Sequence, residues 1–139
     1  MRKASKILFL IGGIVAIVAA VVWLIWGIVL FILPNTEAFE EAIKQAMKEN
    51  PDVSEELLRA TLQGTFIGGG VALIFETVCC ALSSVFAFKA YKQEKPSTAL
   101  CVLNIVFGAL SVEVNLVGAI FALIANGQDE RRELAQKQE

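Results

Sequence analysis

Residues Ile7–Leu33 read ILFLIGGIVAIVAAVVWLIWGIVLFIL, 27 consecutive positions without a charged side chain. At about 1.5 Å per residue, a helix of that length reaches roughly 40 Å, more than the ~30 Å hydrocarbon layer of a bilayer, so it can span with tilt. Arg2, Lys3 and Lys6 ahead of it, with the small triplet Val18-Ala19-Ala20, also resemble a signal peptide. The run continues past that triplet through Trp23, Trp26 and Phe31, too far for the roughly 7–15-residue apolar stretch of a signal, and a retained helix is the expectation.

The rest of the 139 residues follows the same accounting. The chain is 56% hydrophobic and 19% charged, against about a quarter charged in soluble domains, so its apolar excess exceeds one core. A second apolar run, 65–88, is interrupted only by Glu76, and a third, 98–125, only by Glu113. Lysine and arginine are dense in 1–6 and in 89–97 and sparse in 34–64. The positive-inside rule therefore predicts a cytoplasmic N-terminus (1–6), a first span (7–33), an extracellular segment (34–64), a second span (65–88) and a cytoplasmic basic loop (89–97). The 98–125 run and a polar tail over 126–139, expected to be cytoplasmic, complete the layout. The chain lacks histidine and carries a net charge of −2, which weakens proton-relay and metal chemistry and removes a basic footprint for nucleic acid.

Residues 34–64 read as a short helical hairpin. Thr36 is a candidate cap, and Phe39, Ile43 and Met47 recur at one face of a first helix that Asn50-Pro51 stops. A second helix is expected from Asp52, with Glu55 at capping-box spacing and Val53, Leu57, Leu58 and Leu62 as its apolar positions. Seven acids against three bases make the segment acidic. A solvated hairpin explains this, and a docking surface that includes Phe39, Ile43, Met47 and Leu57 is the sharper alternative.

In lipid, helices associate through close packing and hydrogen bonds, so small and polar residues mark contact faces. Gly69, Ala72, Glu76, Cys80, Ser83 and Ala87 fall on one face of the second span, and Gly64 and Gly68 add a GxxxG spacing. Glu76 lies mid-span, where an acid costs about 2.5–3.5 kcal/mol by insertion scales, and no basic residue shares an apolar run with it. It is expected to be protonated and hydrogen-bonded to a neighbour such as Asn104 or a serine. The three cysteines, Cys79, Cys80 and Cys101, lack a metal-ligand pattern and read as packing residues.

The third run supports two readings. Cys101, Asn104, Gly108, Ser111, Asn115, Gly118, Ala122 and Ala125 form an unbroken seam suited to one long helix. Such a helix would set Glu113 in mid-bilayer towards lipid, whereas a hairpin turning at Val112–Val114 sets Ser111, Glu113 and Asn115 at the outer surface and returns Arg131 and Arg132 to the cytoplasm. The hairpin is favoured, although its arms are shorter than the ~20 residues a bilayer asks for.

The basic N-terminus, Ile11-Gly12-Gly13, the acidic external segment, the lysines before Pro96, Asn104-Ile105-Val106-Phe107-Gly108 and Gly118-Ala119-Ile120-Phe121-Ala122-Leu123-Ile124 together resemble the uncharacterised small tetraspan membrane proteins of Gram-positive bacteria. The resemblance covers nearly the whole chain and implies four membrane segments with both termini inside. It implies no activity or catalytic residue.

The expectation is an all-α integral membrane protein of the cell membrane, a small transmembrane helical bundle of three or four segments with a short extracellular helical hairpin. Its preferred role is non-enzymatic: an accessory, scaffolding or regulatory subunit packing against the lipid bilayer and another membrane protein, or against its own copies. Glu76, Asn104, Gly69, Ser83 and Gly108 form the candidate packing site. A small oligomeric channel or transporter using Glu76 for protons or cations, and an immunity-type membrane protein, are the alternatives. No catalytic constellation, cofactor motif or metal set is legible.

Overall fold

The computed structural model describes residues 1–137, so the last two positions of the polar tail expected over 126–139 lie outside the described residues. Five helices follow one another: α1 (Arg2–Ile32), α2 (Glu37–Glu49), α3 (Glu55–Lys92), α4 (Thr98–Leu110) and α5 (Glu113–Gln136), with a 3-10 turn at Leu33–Asn35. The fold is all-helical, and there is no strand among the described residues. The stretch Arg2–Asn35 and α3 are each long and apolar enough to cross a membrane, their most apolar 18-residue windows having mean hydropathies of 2.9 and 2.1. From Ile14 to Val29 every large apolar side chain of α1 is exposed. A soluble helix of this hydropathy would bury such a surface in a core, because contiguous exposed apolar patches are costly in water.

The chain forms two compact units, one made of Met1–Ala20 with the chain from Val78 onward, the other of Val21–Thr77. In the first, Phe9 from α1 fills a core with Ala87 and Ala90 of α3, Leu100 and Cys101 of α4, and Ala119 and Ala122 of α5. A second cluster joins Ala16, Cys80 and Val112. One large ring and Leu100 among alanines and a cysteine bring residues of four helices together in close packing. Glycine is required at Gly108, where a Cβ would stand 2.7 Å from the Leu116 nitrogen on the facing helix.

Helix α4 starts at Ser97, whose hydroxyl accepts from the Leu100 amide at 3.3 Å. It stops at Ser111, whose Oγ donates to the Phe107 carbonyl at 2.6 Å. Val112 is extended and Glu113 opens α5, an exposed acid at the positive end of the helix dipole. The turn therefore falls at Ser111–Val112, immediately before Glu113, and α4 and α5 pack against each other as a hairpin. The thirteen residues of α4 reach only about 20 Å, whereas α5 continues through the polar residues Gln128–Arg132 to Gln136.

In the second unit, Gly27 of α1 meets Gly70 of α3 so closely that a Cβ on Gly70 would lie 3.3 Å from the Gly27 carbonyl oxygen. Phe39 and Ile43 are the buried face of α2, and Phe39 meets Phe66 of α3 edge to face, centroids 5.9 Å apart. The second external helix expected from Asp52 is not a separate element. It starts at Glu55, capped by Ser54, whose Oγ accepts from Leu57 N at 3.3 Å, and runs unbroken into the apolar stretch as α3. Gly64 and Gly68-Gly69-Gly70 do not interrupt it, because each glycine costs only about 1 kcal/mol of propensity while a broken helix would leave several backbone groups without partners. Thr36 does not cap α2 through its side chain either; its hydroxyl donates backwards to Leu33 O at 2.7 Å.

Candidate functional site

Two places gather the residues that the sequence singles out. The first is the buried polar seam of the Phe9 unit. The Asn115 Nδ2 on α5 donates to Ser83 Oγ on α3 at 2.7 Å, with both side chains fully buried. Ser5 Oγ on α1 donates to the Gly118 carbonyl at 2.9 Å, and Asn126 Nδ2 donates to the Pro96 carbonyl, also at 2.9 Å. Asn104 Nδ2 turns back to Leu100 O on its own helix at 2.9 Å. The Oδ1 atoms of Asn104 and Asn115 are buried with no hydrogen-bond partner. Gly12 of α1 faces Asn115 so tightly that a Cβ there would come within 2.8 Å of the carboxamide carbon.

Ser83, Asn104 and Gly108 thus belong to the interior of this one chain. Their chemistry is that of neutral amides and hydroxyls, which join helices and supply neither a nucleophile with a base nor a charged ligand set. Helical spacing sets Asn115 on the seam and the favoured hairpin sets it at the outer surface, but the structure buries it fully against Ser83 of α3; Ser5, Gly12 and Asn126 are contact residues that the sequence does not single out. The signal for Asn115, Ser5 and Gly12 was the near-repeat of small residues at helical spacing in α1 and α5. No sequence signal marks Asn126.

The second place is the outer part of α3. Gly64, Gly68, Ala72 and Glu76 recur every four residues along one line of the helix. Nothing lies within 4 Å of where a Cβ would stand on Gly64 or Gly68, and Ala72 is exposed. Glu76 is half-buried and has neither a hydrogen bond nor an ion pair among the described residues, so the bond expected with Asn104 or a serine is not made. Asn104 Nδ2 bonds Leu100 O on its own helix, and Ser83 Oγ accepts from Asn115 Nδ2. Gly69 faces another way, against Leu30 of α1, where a Cβ would sit 3.2 Å from Cδ1.

Of the residues expected to offer an extracellular contact, Phe39 and Ile43 are only 2% and 1% exposed and face into their own unit, which removes them as a docking surface. Met47 is half-buried, and Leu57 is exposed. The charges of the 34–64 segment are partly organised: Arg59 forks onto Glu40 with bonds of 2.6 and 2.7 Å and reaches Glu55 at 3.5 Å. Hydrogen bonding from Arg59, then its charge, holds the Glu40 carboxyl below the usual carboxylate range, with a smaller contribution from Lys44. Glu40 and to a lesser degree Glu55 push the Arg59 guanidinium up in turn.

Among the described residues no group of three or more cysteine or acidic side chains is placed to hold a metal ion. Compared with known proteins, the chain matches no family model, no curated protein and no solved structure. The class its own structure defines is a small all-helical bundle with two helices able to cross a membrane.

Proposed function

We propose that the chain is an integral membrane protein acting as a non-enzymatic accessory or scaffolding subunit, and that it docks another membrane protein through the Gly64–Gly68–Ala72–Glu76 line of α3. The observation that carries this reading is the open space beside Gly64 and Gly68, ending one turn beyond Ala72 at an unpaired carboxyl. The other close glycine contacts of α3 and its neighbours, at Gly27, Gly70 and Gly108, are filled by the chain itself. A glycine line open to lipid gains nothing from its lack of side chains, whereas a second helix laid against it gains close packing and a hydrogen bond from Glu76.

The membrane placement is supported by the exposed apolar surface of α1 and by hydroxyls that satisfy themselves on their own helices, such as Thr77 Oγ1 donating to Leu73 O at 2.8 Å. In this reading α1 and α3 cross the bilayer, and α4 with the apolar part of α5 forms a short hairpin that enters and leaves on one side. The Arg2–Asp129 ion pair supports a common side for the N-terminus and the tail, and the basic residues around them favour the cytoplasm.

Mild-detergent pull-down from membranes tests the docking. Glu76→Gln should keep the partner, because an amide still hydrogen-bonds; Glu76→Leu and Gly68→Leu should lose it, with the helical content of the chain unchanged. A chain that emerges alone and monomeric in native mass spectrometry refutes the subunit reading, and proton or cation flux lost in Glu76→Gln vesicles replaces it with transport.

A further inference from the structure

At the start of α1, Arg2, Lys3 and Lys6 together with Glu94 line a cavity of about 220 Å³. Three cations line it with one carboxylate, and of these residues only Arg2 has an ion pair among the described residues, to Asp129 of α5. The first turn of α1 carries no acid, so its exposed backbone amides add positive potential to the same place. Lys3 also heads a line of apolar side chains at helical spacing, Ile7, Ile11, Ile14 and Val18, which are 57%, 47%, 51% and 58% exposed.

From this geometry we infer that the cavity binds the phosphate of an anionic phospholipid, with one acyl chain lying along Ile7, Ile11, Ile14 and Val18. Lys3 and Lys6, which have no ion pair among the described residues, hold the phosphodiester. Arg2 is fixed by Asp129 and contributes mainly field. Glu94 is an acceptor facing the cations, suited to a headgroup hydroxyl and not to a second phosphate charge; this favours a glycerol headgroup. A free phosphate would satisfy the lysines equally well, but it would make no use of the apolar line that starts directly beneath them. The inference rests on the membrane reading above, because an acyl chain is offered only in a bilayer or micelle.

Full-length chain in a neutral detergent is titrated with phosphatidylglycerol, phosphatidylcholine and water-soluble glycerol 3-phosphate, and bound molecules are counted by native mass spectrometry. Phosphatidylglycerol should be held about tenfold more tightly than phosphatidylcholine. The pair Lys3→Gln and Lys6→Gln should remove that preference, whereas Lys89→Gln with Lys92→Gln, cations outside the cavity, should preserve most of it. Glu94→Gln should bind phosphatidylglycerol at least as well as the unaltered chain, since repulsion is removed and an acceptor remains. Circular dichroism on each variant confirms that these surface changes leave the helices intact.

Equal loss in both lysine pairs means diffuse charge attraction and overturns the site. Retention of glycerol 3-phosphate as tightly as the lipid makes it a soluble-phosphate site and overturns the lipid. A chain that resists alkaline extraction from membranes yet shows no preference between the two lipids overturns this inference alone. A chain that alkali washes out overturns the membrane reading as well.

Discussion

Asn115 on α5 and Ser83 on α3 are joined by a 2.7 Å hydrogen bond in a place that excludes solvent entirely. The bond satisfies the amide nitrogen of Asn115 and leaves its oxygen against Gly12 without a hydrogen-bond partner. A buried amide with one end unsatisfied depends heavily on the bond it does make. Ser83→Ala should therefore lower the stability of the bundle by about 0.5–2 kcal/mol, the range set by bonds between helices in lipid and by the cost of a stranded donor. Thermal unfolding in detergent measures it. A loss no larger than that from Ala81→Ser, an exposed position on the same helix, would show the bond to be idle.

Glycines at close approach and glycines at open space should respond oppositely to one added carbon. At Gly108 a Cβ would press to 2.7 Å from the Leu116 backbone nitrogen, which no rotamer change relieves, so Gly108→Ala should destabilise by roughly 1–3 kcal/mol. At Gly64 nothing stands within 4 Å, so Gly64→Ala should leave stability unchanged or raise it by up to about 1 kcal/mol through helix propensity. The two melting curves, measured side by side, decide the matter. A Gly64→Ala loss comparable to that of Gly108→Ala would mean that the open face is already filled by another copy.

The Glu40–Arg59 pair makes the stability of α2 sensitive to acid. Because Glu40 is held below the ordinary carboxylate range when folded, it binds protons more readily once α2 lets go. Its contribution is complete above the unfolded value near 4.5 and disappears as pH falls through the lower folded value. Amide exchange in α2 should accelerate on acidification below about pH 4.5, and Glu40→Gln should show the faster exchange already at neutral pH with a flatter acid dependence. Arg59→Gln should behave like Glu40→Gln. Unchanged protection in both variants would mean that the Phe39–Phe66 contact alone holds α2 in place.

The elements that the sequence made legible are those where a physical rule acts locally. The apolar stretch beginning at Ile7 and the stop at Asn50-Pro51 follow from burial and a rigid ring. The hairpin was legible because a carboxylate in mid-bilayer is costly, but its turn falls at Ser111–Val112, with Glu113 already the first residue of α5, and not over Val112–Val114. The fusion of the second external helix with α3 was hidden because glycine clusters look like breaks, although lipid makes an unbroken hydrogen-bond ladder more valuable than propensity. The division of the α3 polar line was also hidden. Ser83 and Cys80 face the chain's own core while Gly64 and Gly68 face open space, and helical spacing cannot say which turn of a stripe meets a neighbour. Long-range pairs such as Asn126 with the Pro96 carbonyl carry no periodic signal at all.

The polar tail should lie on the same side of the membrane as the N-terminus. Arg2 opens α1 and Asp129 belongs to α5, and their side chains form an ion pair, while Asn126 bonds the carbonyl of Pro96 in the loop after α3. If α1 and α3 each cross the bilayer once, the N-terminus and the 93–97 loop share a face, and these two contacts carry the start of the polar tail to that face as well. In the proposed topology, positive-inside bias would make the shared face cytoplasmic. Single cysteines introduced by Ser54→Cys and Gln136→Cys should then label differently with a membrane-impermeant maleimide in intact cells. The Ser54→Cys variant should react above the background of the unaltered chain, and the Gln136→Cys variant should react only after permeabilisation. Breaking the ion pair with Asp129→Lys should loosen the tail without changing this pattern, because the pair is half-exposed and such contacts contribute at most about 1 kcal/mol. Labelling at both sites in intact cells would mean that α4 and α5 together carry the chain across the bilayer once, and the hairpin would then have to be read as a single crossing.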